Sequence, residues 1–141
     1  MNIFEALRND HDKQRSLVDA LIETHGDSPN RQSLMDNLKL ELEEHAKFEE
    51  RYFYTPLMFD DLTHEKARHG IAEHHELDEL IEQLEETDMS SSAWLVTAKK
   101  LHHLVHHHLA EEEHEIFQLA GKALSEEQKQ SLAVKYNNAM N

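Results

Sequence analysis

The sequence contains the pattern His-x-x-x-Glu at several positions, among them His45 with Glu49 and His108 with Glu112. In a helix, residues four apart lie on successive turns of one face with Cβ atoms about 5–6 Å apart, so each pair can bind one metal ion or two neighbouring ions. Imidazole and carboxylate donors without thiolate suit iron first and then manganese, with zinc possible. The pattern predicts a metal site of histidine and glutamate ligands.

An internal repeat identifies further ligands. When the sequence is displaced by 63 positions, residues of matching chemistry superimpose along two long segments. The superimposed metal-binding types are His11 with His74, His45 with His108, and Glu49 with Glu112. The register selects His74 rather than His75, and His108 rather than His106 or His107. The repeat therefore predicts that one helical hairpin occurs twice and that each copy supplies half of the site.

Apolar residues at helical spacing divide the chain into four long segments and one short segment. The predicted helices cover about 3–25, 29–59, 63–87, 91–120 and 126–138. Gly26 ends the first segment, Thr63 is a plausible cap of the third, and Ser125 with Gln128 has the spacing of a capping box. Because short turns join long helices, we predict a single all-α domain over residues 1–141, an antiparallel up-and-down four-helix bundle with a short C-terminal helix.

The predicted helices place the six candidate ligands at one height in the bundle. With a rise of about 1.5 Å per residue, the paired histidines lie at similar distances from the turns that join their helices. Burying two unpaired glutamates and four imidazoles without partners would be costly, and a pair of divalent cations removes that cost. The repeat suggests that His11 and His45 bind one ion and that His74 and His108 bind the other. Glu49 and Glu112 are then the bridging ligands.

Composition excludes several other classes of protein. The 141 residues include 14 Lys and Arg against 29 Asp and Glu, a formal charge of −15, which argues against nucleic acid and anionic membrane as partners. The chain has no cysteine, so disulfides, thiolate nucleophiles and thiolate-bound iron–sulfur clusters are excluded. The first residues carry acid and lack an apolar signal-peptide region, and no uncharged stretch is long enough to span a membrane. We expect a soluble, cytoplasmic protein.

The residues that carry a family resemblance are His11, His45-Ala46-Lys47-Phe48-Glu49-Glu50, His74 and His108-Leu109-Ala110-Glu111-Glu112-Glu113. Their types and spacing resemble the hemerythrin-like HHE cation-binding domain over about residues 4–120. The resemblance implies a four-helix bundle with a non-haem centre of two iron ions. It also implies a function among those of the family, whose members bind or react with oxygen, nitric oxide or peroxide, or handle iron. The ligands it implies are the six residues selected by the repeat.

The sequence departs from the oxygen-carrying hemerythrins in its second half. Those proteins have His-x-x-x-His and then His-x-x-x-x-Asp, whereas this chain has His74-x-x-x-Asp78 and then His108-x-x-x-Glu112. The six-ligand pattern is closer to that of the iron-centre repair proteins and of the hemerythrin-like domain of an F-box iron sensor, which argues against reversible oxygen carriage. The absence of the cysteine-bearing N-terminal segment of the repair proteins argues against repair.

The predicted function is therefore binding or sensing of a small molecule (oxygen, nitric oxide or peroxide) or iron handling, and two alternatives remain. One is a di-iron oxidase or peroxidase, and the other is a metal-free structural bundle whose acidic surface docks basic proteins. The pattern leaves the oligomeric state open. The remaining histidines are expected at the surface, including the run around His103 and His107 that could act as a metal trap. Acids beside the ligands are also expected to face solvent rather than orient imidazoles: Asp10, Glu50, Glu73 and Glu113.

Overall fold

The computed structural model describes residues 1–141 and consists of helices joined by short turns, without strands. The five helices are α1 (Ile3–Ile22), α2 (Pro29–Glu49, continued by Glu50–Tyr54 and Thr55–Leu57), α3 (His64–Glu86), α4 (Ser92–Glu111, continued by Glu112–Ile116 and Phe117–Ala123) and α5 (Glu126–Met140). Helix α1 packs against α2 and α4, and α3 packs against α4 and α2. The predicted four-helix bundle with a short fifth helix is confirmed.

Helix α5 lies across the outside of the bundle on α1 and α2. It begins at the predicted capping box, in which the Ser125 side chain accepts from the Gln128 N–H and the Gln128 side chain accepts from the Ser125 N–H. Thr63 does not cap α3 as expected, because its hydroxyl donates to the Leu57 carbonyl oxygen at 2.7 Å. No helix combines the length and the hydrophobicity that a transmembrane segment needs.

A π-helical turn interrupts both α2 and α4, at Glu50–Tyr54 and at Glu112–Ile116. Each turn adds a residue to the helical repeat and so rotates the following segment relative to an uninterrupted α-helix. The α-helical spacing predicts Tyr52 and Leu119 on the inward faces, but both are only partly buried. The turns instead bury the following set: Phe53, Tyr54 and Leu57 from α2, and Phe117 and Ala120 from α4.

The bundle core consists of two apolar clusters with a polar layer between them. Residues from both ends of the chain form one cluster, which includes Ile3, Phe53 and Tyr136. The other cluster lies at the opposite end and includes Leu21 and Trp94. Apolar packing on both sides holds the polar layer away from water, so the charges within it interact strongly.

Candidate metal centre

The six side chains selected from the sequence meet in this polar layer. All are buried, and their exposed fractions range from 0% to 4%: His11, His45, Glu49, His74, His108 and Glu112. Neighbouring imidazole rings are close, with centroids 5.4 Å apart for His11 and His45 and 5.0 Å apart for His74 and His108. The six side chains therefore lie at one height along the bundle, as helix geometry predicted.

These side chains form two overlapping groups of potential ligands. The first contains His11 and His45, the second contains His74 and His108, and both include Glu49 and Glu112. Within each group, one ligand atom of every residue lies within 4.8 Å of the others. Because both glutamates belong to both groups, the arrangement is compatible with two adjacent cations.

The polar atoms that face the centre of the layer lack hydrogen-bond partners. They are Nε2 of all four histidines, both carboxylate oxygens of Glu49 and Oε1 of Glu112. His11 Nε2 lies 3.1 Å from Glu112 Oε1, and His74 Nε2 lies 3.1 Å from Glu49 Oε1. A buried polar atom without a partner costs about 1–3 kcal/mol, and seven in one layer are explained by cations that take up their lone pairs. The residues thus fit a dinuclear cation site.

The remaining carboxylate oxygen of the layer has a protein partner. Glu112 Oε2 accepts a hydrogen bond from the hydroxyl of Tyr54, which the π-helical turn directs into the core. The repeat pairs Tyr54 of the first hairpin with Phe117 of the second. The two side chains differ by the ring hydroxyl, which only Tyr54 has. Helical spacing did not predict the role of Tyr54, and this difference within the repeat is the sequence signal that points to it.

The outward nitrogen of each imidazole has a polar partner on another helix. Nδ1 of His11 lies 2.7 Å from Glu113, Nδ1 of His74 lies 2.8 Å from Glu50, and Nδ1 of His108 lies 2.8 Å from Glu73. A carboxylate that accepts the Nδ1 proton leaves the Nε2 lone pair directed inward and fixes the ring orientation.

The expectation that the acids beside the ligands face solvent is therefore wrong. Asp10 and Glu73 are only 6% and 4% exposed, and Glu113 and Glu50 are partly buried against the histidines that they hold. Each acid is adjacent in sequence to one ligand but contacts a histidine from a different helix. Helical spacing describes one helix at a time, so these contacts were not predictable from it.

Helix α5 completes the set of imidazole partners. His45 Nδ1 lies 3.6 Å from Asp10, too far for a direct hydrogen bond, and the hydroxyl of Tyr136 lies between them. His45 Nδ1 donates to this hydroxyl at 2.6 Å, and the hydroxyl donates to Asp10. In the other hairpin the longer Glu73 reaches His108 directly. The fifth helix thus supplies the connection that the shorter aspartate cannot make.

Replacing Tyr136 by phenylalanine should weaken metal binding about 10- to 100-fold, because His45 loses the acceptor that orients it. The matched control is Tyr52→Phe, since Tyr52 is partly exposed and its ring stacks on Phe48 at 6.3 Å. Competition with a chelator of known affinity measures both variants. Equal metal affinity for Tyr136→Phe and the unsubstituted chain would contradict a role of α5 in the centre.

Opposing charges shift the protonation of the buried groups. Burial alone would lower the pKa of His74, but the nearby carboxylates of Glu49 and Glu50 raise it to about 9. Burial acts to raise the pKa of Glu49, yet the charge of His45 holds it well below its usual range. Burial and the neighbouring Glu49 raise the pKa of Glu112. Cation binding needs neutral imidazoles and ionised carboxylates, so it should release protons from this layer.

A small cavity of about 10 Å³ adjoins the histidines. His45, His74 and His108 line it together with Gln14 of α1 and Asp78 of α3. Gln14 is buried, and its side-chain nitrogen has no hydrogen-bond partner. The volume suits a molecule of about the size of water, with the amide of Gln14 as a potential donor. Asp78 is exposed and belongs to neither ligand group.

Most other histidines lie at the surface as expected. His25, His69, His75 and His114 are exposed, and His64 is partly buried. The run around His103 and His107 is a surface face, as expected: both histidines are exposed, their rings stack at 6.4 Å, and His107 lies 3.0 Å from Glu111. None of these side chains contributes to the buried groups.

The bundle and its enclosed layer of imidazoles and carboxylates define a helical protein with a candidate dinuclear cation site. The family model of the hemerythrin HHE cation-binding domain matches residues 2–120, and the chain belongs to this family. A crystal structure of a hemerythrin HHE cation-binding domain-containing protein from Mycobacterium kansasii superposes with a TM-score of 0.89 at 21% identity, covering 99% of this chain and 85% of that one. The fold is therefore hemerythrin-like. Comparison with curated proteins gives no match.

Proposed function

We propose that the chain binds two iron ions in the buried layer and presents them to a small molecule as a non-haem di-iron protein. His11 and His45 would hold one ion, His74 and His108 the other, and Glu49 and Glu112 would bridge them. The observation that carries the proposal is the pair of four-residue groups that share both glutamates and leave their inward atoms without partners. Nitrogen and oxygen donors without sulfur favour iron, with manganese or zinc as alternatives.

A bound iron pair would supply open coordination positions and one-electron redox chemistry. The chain itself limits what reaches them, because the adjoining cavity is about 10 Å³. So small a cavity argues against an organic substrate and is in keeping with the smallest ligands, for which we propose oxygen, nitric oxide or peroxide. The unpartnered amide of Gln14 can donate a hydrogen bond to such a ligand. We propose binding or sensing rather than turnover, since the imidazoles and carboxylates serve as ligands or orient ligands.

Anaerobic loading with ferrous iron followed by exposure to air tests the proposal. We expect about two iron ions in the buried layer of each chain, in keeping with its two groups of nitrogen and oxygen donors, and a visible charge-transfer band that azide shifts. Sustained peroxide consumption would favour the enzyme alternative. A folded chain without bound iron would contradict the proposal and favour a structural bundle. Metal analysis of protein purified from its own host then identifies the native ions.

Gln14→Leu tests the cavity separately from the metal. Leucine has a similar volume and no donor, so azide affinity should fall about ten-fold, which corresponds to about 1.4 kcal/mol for one hydrogen bond to a charged group. Iron content should stay unchanged because Gln14 belongs to neither ligand group. Titration of the azide-dependent band measures the effect, and an unchanged azide affinity would rule out Gln14 as the donor.

A further inference from the structure

A second group of histidine and glutamate side chains lies outside the bundle core, on the surface between α3 and α4. Helix α3 supplies His69 and Glu73, and α4 supplies His107 and Glu111. Each pair has the spacing His-x-x-x-Glu, so both of its side chains project from one helical face. The same spacing within the core produces the ligand pairs of the buried centre.

The four side chains converge on one another. His69 Nε2 lies 2.9 Å from Glu111 Oε1 and 3.6 Å from Glu73 Oε2. His107 Nε2 lies 3.0 Å from Glu111 Oε2 and 3.9 Å from Glu73 Oε2. One ligand atom each from His69, Glu73 and Glu111 lies within 4.8 Å of the other two, and His107 flanks the three. The convergence gives two imidazoles and two carboxylates around one position.

Glu73 connects this surface group to the buried centre. Its side chain is 6% exposed, and Oε1 accepts a hydrogen bond from His108 Nδ1 at 2.8 Å. Its other oxygen, Oε2, makes no hydrogen bond and faces His69 and His107 at distances too long for one. Because His108 occupies Oε1, Oε2 is the oxygen of Glu73 that remains available to a cation between the two histidines. The two histidines are 49% and 56% exposed, so a cation can reach them from solvent.

We infer that His69, Glu73, His107 and Glu111 bind one divalent first-row transition-metal ion, separate from the buried pair. Two nitrogens and two carboxylates suit zinc, ferrous iron or manganese. Glu73 would bind this ion through one oxygen and orient His108 through the other. The surface ion and the buried centre would therefore share one carboxylate.

Another surface group serves as a control because its two imidazoles share one exposed carboxylate instead of two less exposed ones. Asp19 Oδ1 accepts hydrogen bonds from both His102 Nε2 at 2.7 Å and His106 Nε2 at 2.8 Å. The Asp19 side chain is 56% exposed and well solvated. This group also offers two imidazoles, both from α4, but it has a single carboxylate.

Isothermal titration with Zn²⁺ and metal analysis of tag-free protein, with the buried pair already loaded, test the inference. We expect His69→Ala/His107→Ala to bind one Zn²⁺ per chain fewer than the unsubstituted protein, and His102→Ala/His106→Ala to keep that ion. Far-UV circular dichroism checks that both variants remain helical. Equal Zn²⁺ uptake by His69→Ala/His107→Ala and the unsubstituted protein would overturn the inference, as would loss of that ion only in the control.

The same titration on Glu49→Gln/Glu112→Gln separates this site from the buried one. That variant keeps all four surface side chains but lacks both shared glutamates of the centre. We expect it still to bind one Zn²⁺ that His69→Ala/His107→Ala removes. The surface site can therefore be demonstrated even if the buried layer binds no iron, and no Zn²⁺ uptake by this variant would overturn the inference.

Discussion

Replacing both Glu49 and Glu112 by glutamine is expected to abolish binding of the two buried cations while the helices remain folded. The amide has nearly the shape of the carboxylate but carries no charge and is a poor metal ligand. Each glutamate belongs to both ligand groups, so the two substitutions remove two carboxylates from each group. Metal content after ferrous loading and far-UV circular dichroism measure the two parts of this prediction.

The matched control is Glu43→Gln/Glu115→Gln, which makes the same change in charge on the same two helices. Both of these glutamates are exposed, and Glu115 forms a surface ion pair with Lys66 at 3.1 Å. The control should bind the same amount of iron as the unsubstituted chain. If Glu49→Gln/Glu112→Gln also retains two tightly bound ions, the glutamates do not bridge and the proposed centre is wrong.

Metal removal gives a second measurement of the same substitution. A ligand that binds only the folded state at 100 times its dissociation constant adds about 2.7 kcal/mol of stability, so two cations at that excess should add about 5 kcal/mol. A chelator should therefore lower the melting temperature of the iron-loaded chain. Chelation should lower the melting temperature of Glu49→Gln/Glu112→Gln much less, since that variant has no buried cations to lose.

Gly70→Ala should be the most damaging small substitution near the site. Gly70 of α3 faces the fully buried Tyr54, and an added Cβ would lie 2.6 Å from Tyr54 Cζ and closer still to its hydroxyl. Overpacking of this kind costs about 1–3 kcal/mol. Displacing the ring also breaks its hydrogen bond to Glu112, which adds about 1–3 kcal/mol for a buried group left without a partner. Urea unfolding and metal content should both show the loss.

Gly121→Ala is the control, because Gly121 is also helical but an added Cβ there meets nothing within 4 Å. Alanine lowers the conformational entropy of the unfolded chain, so this variant should gain about 0.5–1 kcal/mol. Opposite signs for the two glycine variants would show that the close approach of Tyr54, and not helix propensity, determines the effect at Gly70. A stabilising effect of Gly70→Ala would contradict the packing around Tyr54.

The amino-acid sequence by itself was sufficient to predict the helices and the inward set of six buried residues. Apolar spacing and turn residues are local signals, and the observed bounds of α2 and α3 lie within two residues of those predicted, about 29–59 and 63–87. The repeat added long-range information, because a duplicated hairpin places equivalent residues in equivalent positions. That is why His74 and His108 could be distinguished from the histidines beside them.

Tertiary structure alone decided which groups support the six buried residues. The π-helical turns changed the buried face after Glu49 and Glu112, and so directed Tyr54 rather than Tyr52 into the core. The acids that hold the imidazoles act across helices, and Tyr136 reaches His45 from a helix outside the repeat. A periodic pattern specifies the direction of a side chain from its own helix. Distances between helices depend on how the packed bundle closes, and those distances determine which atoms meet.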